Sequence, residues 1–544
     1  MRITSRFGAR AVGPAALLLA VAGGGQALAQ TATVTLSSQK QYIRGIGGMS
    51  HAAWAGDLTA AERTLAFGNA DGQLGFSALR IPVTDGSPDS ANVATAKAAA
   101  AAGAIVFATP WNAAGTMTSG QFSSYATHLN NFVSYMKNQG VNLYAIGVQN
   151  EPDYGAQAGW MAWTAALCHD FVLNYGAMIT TKLISCESFN YAKSYYDPIL
   201  NDSAALANVV ALGTHLYGTP VSGYAYPLAD QKSGGKERWM TEHYTDSTTD
   251  ANSWPNALGV ATEMHHAMVD GQFSLYTWWY IVRSYGPIGT NGAVTKRGWC
   301  MAQFSKFIRP GFYRVDATAT PASGVYLSAY KSNTDIVLVV VNTNTSASSL
   351  TVSVNGSTAS AYDRFTTSSS KNFASEGKVT ATNGTVMLSL DAQSVTTLHA
   401  TGASTTGAGG STASGSAGAS GSAGAIGAGG AAVGGRTGSG GVTASGGAPG
   451  TGGASPGSGG VTGSGGAVGS GGVLGTGGAG TGGIPVGTGG ATGAAGSTTP
   501  GESSDGGCSC RLGHAGSGPV LWPLLSILAG LVVPTRRRRR QSTR

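Results

Sequence analysis

Two short runs place acidic side chains where a carboxyl group can do chemistry: Glu151 in Val148-Gln-Asn-Glu-Pro-Asp-Tyr154 and Glu242 in Trp239-Met-Thr-Glu-His-Tyr244. Each acid follows an apolar, β-rich run, so each belongs at the carboxyl end of a strand. A single glutamate in such a place is commonly a solvated loop residue or half of an ion pair. Two in register are a different matter. If they face one cleft, a carboxyl kept protonated by a raised pKa can donate to a leaving oxygen while its ionised partner attacks an acetal carbon. The resulting ester is then hydrolysed by water, with the first group now acting as base. Retention of configuration by this route needs the two carboxyls about 5 to 5.5 Å apart. Asn150 strengthens the case, because an amide just before the acid can hydrogen-bond a sugar 2-hydroxyl, a contact that tightens in the transition state.

The elements that must hold these acids alternate between short β-rich runs and longer helical ones over residues 41–306, the signature of a parallel sheet wrapped by helices. Eight strands are expected: Ile43–Met49, Phe76–Val83, Ala104–Thr109, Leu143–Gln149, Lys182–Glu187, Val209–His215, Trp239–His243 and Phe273–Ile281. Helices are expected over Thr59–Phe67, Ala91–Ala102, Phe122–Asn138, Gly159–Tyr175 and Asn256–Val269, from apolar residues at three- and four-residue spacing. This count and size fit an α/β fold of the (β/α)8 barrel type, in which strands four and seven lie across the mouth from each other. A doubly wound open sheet is the alternative on counting alone, and no glycine-rich phosphate loop favours it. From 307 to 400 the rhythm changes to alternating strands without helices, which predicts a β-sandwich side domain. The strand Thr31–Ser37, in the segment 30–40, is expected to join it.

The ends are not ordinary globular sequence. Residues 1–29, with Arg2, Arg6 and Arg10 ahead of the apolar stretch 15–22 and then Ala27-Leu-Ala29, read as a signal peptide. Residues 401–517 are built mainly of Gly, Ala, Ser and Thr, and 44 of the 85 glycines fall in 401–510. Such a segment cannot bury enough apolar surface to offset its chain entropy, so it reads as a flexible linker. Residues 518–544 hold the apolar run Val520–Val533 followed by Arg536 to Arg540, a stop-transfer pattern. With Cys508 and Cys510 just upstream, the order of Cys motif, apolar helix and Arg cluster resembles the C-terminal sorting tails of myxobacterial surface proteins. That resemblance implies display on the outer cell surface.

These ends account for the basicity. Setting aside three arginines in the first 29 residues and a net six positive charges after residue 400, the formal +7 leaves −2 for residues 30–400. Nucleic-acid binding, which needs a clustered basic face, loses its support. Five cysteines are too few for a disulfide framework; Cys168 and Cys186 could pair, leaving Cys300 alone, but spacing does not decide it. No Cys or His arrangement has a zinc spacing, and no metal or cofactor is expected.

Around the acids, Trp54 after strand one, Trp111 after strand three, Tyr217 after strand six and Trp279 at strand eight can stack on pyranose faces, although any one could instead be core. Arg80, ending strand two, is expected either to hold the acid/base side of the site or to be structural. Long runs now make the sequence recognisable: GIGGMSHAAWAGDL at 45–58, the two glutamate motifs, and KRGWCMAQFSKFIRPG at 296–311. Over roughly residues 31–400 the chain resembles glycoside hydrolase family 30, in its bacterial glucuronoxylanase branch. The resemblance implies that Glu151 is the acid/base and Glu242 the nucleophile of a retaining endo-β-1,4-xylanase. It also implies recognition of the 4-O-methylglucuronic acid side group of xylan, through Arg283, Tyr280 and Tyr285 in Trp279-Tyr-Ile-Val-Arg-Ser-Tyr285 and through Tyr244 and Ser247. A guanidinium suits that task, since two parallel charge-assisted bonds fix a carboxylate's direction as well as its charge.

One departure is a shortened chain between Trp111 and the helix near Phe122, where the family carries a longer loop beside the cleft. Two alternatives stay open: another family 30 specificity, either a side-group-independent xylanase or a β-1,6-glucanase, and a non-catalytic surface protein that binds polysaccharide. The expected partner is xylan, met by a monomer that touches membrane only through its C-terminal tail.

Overall fold

Nearly every residue of the apolar runs between 45 and 280 is buried, and in the computed structural model these runs close into a ring. The structure describes residues 30–112, 119–245 and 247–402. The segments read as signal peptide, linker and tail, with Cys508 and Cys510 and most of the shortened stretch after Trp111, lie outside the described residues.

The chain enters on β1 (Gln30–Tyr42) and then forms the barrel strands β2 (Gly45–Met49), β3 (Ala78–Val83), β4 (Ile105–Pro110), β5 (Ala145–Gly147), β6 (Lys182–Ile184), β7 (Val209–His215), β8 (Glu237–His243) and β9 (Leu275–Tyr280). Each pairs in parallel with the next and β9 returns to β2, so the expected (β/α)8 ring is closed. Burial on both faces explains why these strands are continuously apolar rather than alternating. Ala78, Phe107, Ala145, Ile184, Ala211, Trp239 and Leu275, one from each of seven successive strands, pack together inside the ring. Phe107 and Trp239 meet edge to face at 5.5 Å. Small residues opposite large ones fill the bore, so whatever sits at its carboxyl end rests on a dry floor.

The helices follow the same logic. Thr59 caps the helix Ala60–Phe67 in a capping box with Glu62, satisfying two otherwise unpaired backbone donors. Along Phe122–Asn138 the buried residues are Phe122, Tyr125, Ala126, Leu129, Phe132 and Met136, a stripe at helical spacing that faces the strands.

The second domain consists of β1 with β10 (Tyr313–Ala317), β11 (Val325–Lys331), β12 (Ile336–Asn342), β13 (Ser348–Asn355), β14 (Ala361–Thr367), β15 (Ala374–Thr382), β16 (Thr385–Leu390) and β17 (Ser394–Ala400). As expected, the opening strand joins it, pairing in parallel with β13. The two faces of the sandwich are joined edge to edge, since the hydrogen-bonded order runs β1, β10, β11, β12, β17, β14, β15, β16, β13 and closes. Two of these strands were not legible. β10 is only five residues long, and β15 is a polar, largely solvated strand interrupted by Gly377.

Strand β12 shows how the two domains are joined. All seven of its residues are buried. Ile336, Leu338 and Val340 fill the core of the second domain, while Val337, Val339 and Val341 turn into the core that surrounds the barrel. Side-chain bonds from Gln303 to Thr367 at 2.8 Å and from Thr397 to the Gln303 carbonyl at 2.6 Å cross the same junction.

Cys168, in the helix Ala165–Tyr175, is disulfide-bonded to Cys186, just past β6, and Cys300 is free and buried. Among the described residues no helix is long and apolar enough to cross a membrane. Opening the Cys168–Cys186 link, which spans 18 residues, should destabilise the fold by about 3 kcal/mol on chain-entropy grounds. Scanning calorimetry of the protein with and without a reductant that opens the bond checks this, and an unchanged midpoint would contradict it.

Candidate active site

Glu151 stands on the segment that continues β5. Its φ of 41° puts a non-glycine residue in the left-handed region, at a cost of roughly 1 to 2 kcal/mol. Backbone bonds hold it there: Asn150 N–H donates to the Pro110 carbonyl at 2.9 Å and Glu151 N–H to the Glu187 carbonyl at 2.8 Å. Glu242 ends β8, where the parallel register slips between Met240 and His243. Both carboxyls reach the mouth and are nearly buried, 4% and 5% exposed. An oxygen of each lies within 4.8 Å of the other and of a ring nitrogen of His215.

Between and beneath them is a buried charge network. Arg80, from β3, has no exposed surface. Its Nη1 donates to Glu242 Oε2 at 2.5 Å, and its Nη2 to Glu187 Oε2 at 2.8 Å and Asn150 Oδ1 at 2.7 Å. Trp111 covers the guanidinium at 4.7 Å. Thr109 donates to Glu187 Oε1 at 2.6 Å. His215, ending β7, meets Glu151 Oε1 through Nδ1 at 2.8 Å, and its Nε2 faces Glu187 Oε2 at 3.5 Å and Glu242 Oε2 at 3.9 Å. Tyr217 donates to Glu242 Oε1 at 2.8 Å.

Glycine 147 makes room for this arrangement. A Cβ there would stand 2.3 Å from Glu187 Oε1 and 3.0 Å from Thr109 Oγ1.

The environments set the carboxyls apart. Burial pushes Glu151 up to about 7, reinforced by the Glu242 charge and opposed by the His215 bond. Burial would also push Glu187 up, but the Arg80 guanidinium with His215 and Thr109 holds it at about 2. Burial disfavours protonated His215, yet the Glu242 charge, the bond to Glu151 and the nearby Glu187 carboxylate raise it to about 9. Burial and the Glu242 charge keep the Tyr217 phenol well above its ordinary range, so it remains a donor. A cation among Glu151, His215 and Glu242 would meet charge already balanced by Arg80 and His215, and we assign none of them as a metal ligand.

An aromatic shell rings the acids. Trp54, 39% exposed, stacks on His51 at 3.8 Å and meets Trp111 at 5.5 Å and Trp279 at 6.3 Å. Trp111 and Trp279 are nearly buried yet line the cavity above the carboxyls, together with Tyr217 and Tyr244. Tyr244 lies 5.2 Å from Tyr217 and 5.1 Å from Tyr285. The Arg283 guanidinium lies 4.6 Å from the Tyr280 ring. Tyr280 is nearly buried, like Trp111 and Trp279, and packs against Trp279 at 4.4 Å. Ser247 is exposed on the segment after β8.

Most of the expected site residues are therefore brought together around the two carboxyls; Ser247 is exposed, and no contact among the described residues joins it to them. Arg80 serves both sides of the site: it bonds Glu242 directly and holds Asn150, the residue before Glu151, together with Glu187. Asn150 spends its oxygen on Arg80, which leaves its buried Nδ2 without a protein partner among the described residues.

Sequence reasoning missed Glu187 and His215, although both end expected strands and the strand-end criterion would have found them. It also missed the wall of Tyr154, Trp160 and Phe189, in which Phe189 is stacked between Tyr154 at 4.4 Å and Tyr217 at 5.0 Å. Asp153 ties that wall down through Ser188 Oγ at 2.7 Å and Phe189 N at 2.9 Å.

Comparison with known proteins bears on this geometry. No family model matches the chain. Over 388 residues it is 49% identical to glucuronoxylanase XynC of Bacillus subtilis strain 168, covering 68% of this chain and 91% of that protein. It is similar to the solved GH30 endoxylanase of Clostridium papyrosolvens C71 (TM-score 0.64, 40% identity, 68% of this chain and 100% of that one). It is also similar to Xyn30A of Clostridium acetobutylicum, a xylanase of glycoside hydrolase family 30 subfamily 8 (TM-score 0.62, 34% identity, 68% and 100%).

Replacing Arg80 by Met would leave Glu187 and Glu242 buried without their shared counter-charge, a loss expected to destabilise the fold by about 3 to 5 kcal/mol. Chemical denaturation of the two proteins at one pH checks it; equal stability would show that the guanidinium does not hold these carboxylates.

Proposed function

This chain belongs to the xylanases of glycoside hydrolase family 30, and from that premise we propose that it cleaves glucuronoxylan internally, with retention, guided by the 4-O-methylglucuronic acid side group. The observation that carries the retaining assignment is the approach of Glu151 and Glu242, with oxygens within 4.8 Å of each other. Inverting enzymes hold their carboxyls about 6.5 to 9.5 Å apart to admit a water between them.

In the first half-reaction the Glu151 carboxyl gives its proton to the glycosidic oxygen while a Glu242 oxygen bonds to the anomeric carbon. The aglycone leaves as an alcohol, and Glu242 becomes a glycosyl ester. In the second half, Glu151, now a carboxylate, takes a proton from water as the water oxygen bonds to that carbon, and the ester bond breaks. Burial makes Glu151 suited to hold a proton near neutral pH, while His215 Nδ1–H fixes Oε1 and leaves Oε2 for the substrate. Arg80 and Tyr217 engage one oxygen of Glu242 each, which fixes the plane of attack. The free Nδ2 of Asn150 supports a hydrogen bond to the sugar 2-hydroxyl.

Recognition of the uronic acid falls to Arg283. Among the described residues its guanidinium is in no ion pair, and its Nε is buried without a hydrogen-bond partner, a costly state unless a carboxylate completes it. Tyr280 backs the guanidinium, while Tyr244, Ser247 and Tyr285 are the neighbours the family resemblance assigns to the same side group. We further propose, from the sequences of residues 1–29 and 518–544, that the protein is exported and displayed on the outer cell surface.

Because the acid form of Glu151 is required for the first half-reaction and its pKa is raised to about 7, kcat/KM should fall about tenfold per pH unit above that value. A pH profile on xylan checks this, and E151Q should lose that limb along with about 10²- to 10⁴-fold in rate; a Glu151→Gln enzyme of parental rate would refute the assignment.

For the side group, Arg283→Ala should lose most activity on glucuronoxylan and little on unsubstituted arabinoxylan. Mass analysis of the parent's products should find one uronic acid at a fixed distance from each new reducing end, and random placement would count against the role of Arg283.

A further inference from the structure

Three carboxyl groups and two cations share the barrel mouth, and only two of the carboxyls have a part in the chemistry. The third, Glu187, has no exposed surface and cannot touch substrate. It is surrounded from every neighbouring strand: Arg80 from β3 at 2.8 Å and Thr109 from β4 at 2.6 Å, Asn150 in a parallel bridge beside Glu151 after β5, and His215 from β7 at 3.5 Å. Through Arg80 it is one residue removed from Glu242 on β8, which Tyr217 also engages. Glycines 147 and 213 leave the space it fills, since a Cβ at either would lie under 3 Å from its side chain.

We propose that Glu187 is a positioning residue whose buried charge keeps one proton on the Glu151–Glu242 pair. The argument is a count of charges in a place where a net charge is expensive. Arg80 is a permanent cation. His215 bonds Glu151 Oε1 through Nδ1 at 2.8 Å, and its Nε2, without a hydrogen-bond partner, lies within ion-pair distance of Glu187 Oε2 at 3.5 Å and Glu242 Oε2 at 3.9 Å, surroundings of three carboxyl groups that favour the imidazolium. Glu187 balances one of these cations, which leaves room for one further negative charge. With Glu242 ionised and Glu151 protonated the sum is zero. In the glycosyl ester, with Glu242 neutral and Glu151 ionised, it is again zero. The proton and the sugar thus alternate on the pair without changing the charge of the site. Without Glu187 the same count would favour ionising both catalytic carboxyls, and the acid would be lost. The depressed proton affinity of Glu187 and the raised one of His215 agree with this count.

The inference rests on the reading of Glu151 as acid/base, and the experiment separates the two. In the full chain, Glu187→Gln keeps the shape and removes the charge. The alkaline limb of kcat/KM on xylan should move at least about one pH unit towards acid. A lower kcat with the limb unmoved would mean a merely structural role and would overturn the proposal. E187Q combined with His215→Asn removes one negative and one positive charge together, so its limb should return towards the wild-type pH even if the rate stays low. A limb that remains at the pH of the single variant would also overturn it. Should the single variant prove insoluble, the double variant is read against the wild type: coincident limbs support the count and displaced limbs reject it. A limb that persists in E151Q would instead fail the assignment of Glu151.

Discussion

Arg80 carries a full charge with no exposed surface, and the barrel mouth is organised around that constraint. A guanidinium out of water loses several kcal/mol of hydration, which only well-aimed acceptors offset. Arg80 has three oxygens within 2.8 Å, from Glu242, Glu187 and Asn150, and the Trp111 face over its plane. Each acceptor comes from a different strand or strand extension, so the guanidinium ties β5, β6 and β8 to β3 across the bore. Satisfying it fixes where the nucleophile candidate points, and Gly147 leaves the space that its partner Glu187 fills.

Such a network holds its geometry only on a frame that does not breathe. The apolar plug from Ala78 to Leu275 closes the bore from below and keeps water from competing for the charges. On the outside, β12 is shared between two cores, so the second domain is as much a wall of the barrel as a domain of its own. The helix Lys296–Ser305, which follows the Arg283 segment, packs into that wall through Gln303. Arg297 in the same helix donates to the Tyr285 carbonyl at 3.0 Å. A continuous path of packed and hydrogen-bonded groups therefore runs from the second domain to the loop that carries Arg283.

How much of this was legible depended on what kind of signal each residue carried. The eight barrel strands could be read because two-sided burial forces a continuous apolar run, and Glu151 and Glu242 because they break such runs at their ends. Arg80 was legible as a residue but not in its role, since its partners come from β5, β6 and β8, and spacing along the chain does not encode which side chains converge across a closed ring. Glu187 and His215 carried the same strand-end mark as the two acids and were passed over because no local motif surrounds them. The Tyr154, Trp160 and Phe189 wall lies on connecting segments, where sequence periodicity is silent. Strand β15 was hidden by Gly377 and by its solvated, polar composition. The Cys168–Cys186 bond depended on a helix and a strand end meeting in space, which their 18-residue separation alone does not specify.

The asymmetry between the two acids also has its origin in these partners. Glu151 and Glu242 are the same side chain and nearly equally buried, one just beyond β5 and the other near the end of β8. Glu242 accepts from a guanidinium that cannot lose its proton and from a phenol that burial keeps protonated, so both its oxygens are used as acceptors. Glu151 accepts on one oxygen only, from His215, and its other oxygen faces the cleft without a donor in the structure's hydrogen bonds. This difference in surroundings therefore originates in Arg80 within β3 and His215 at the end of β7, rather than in the two strands that lead to the acids.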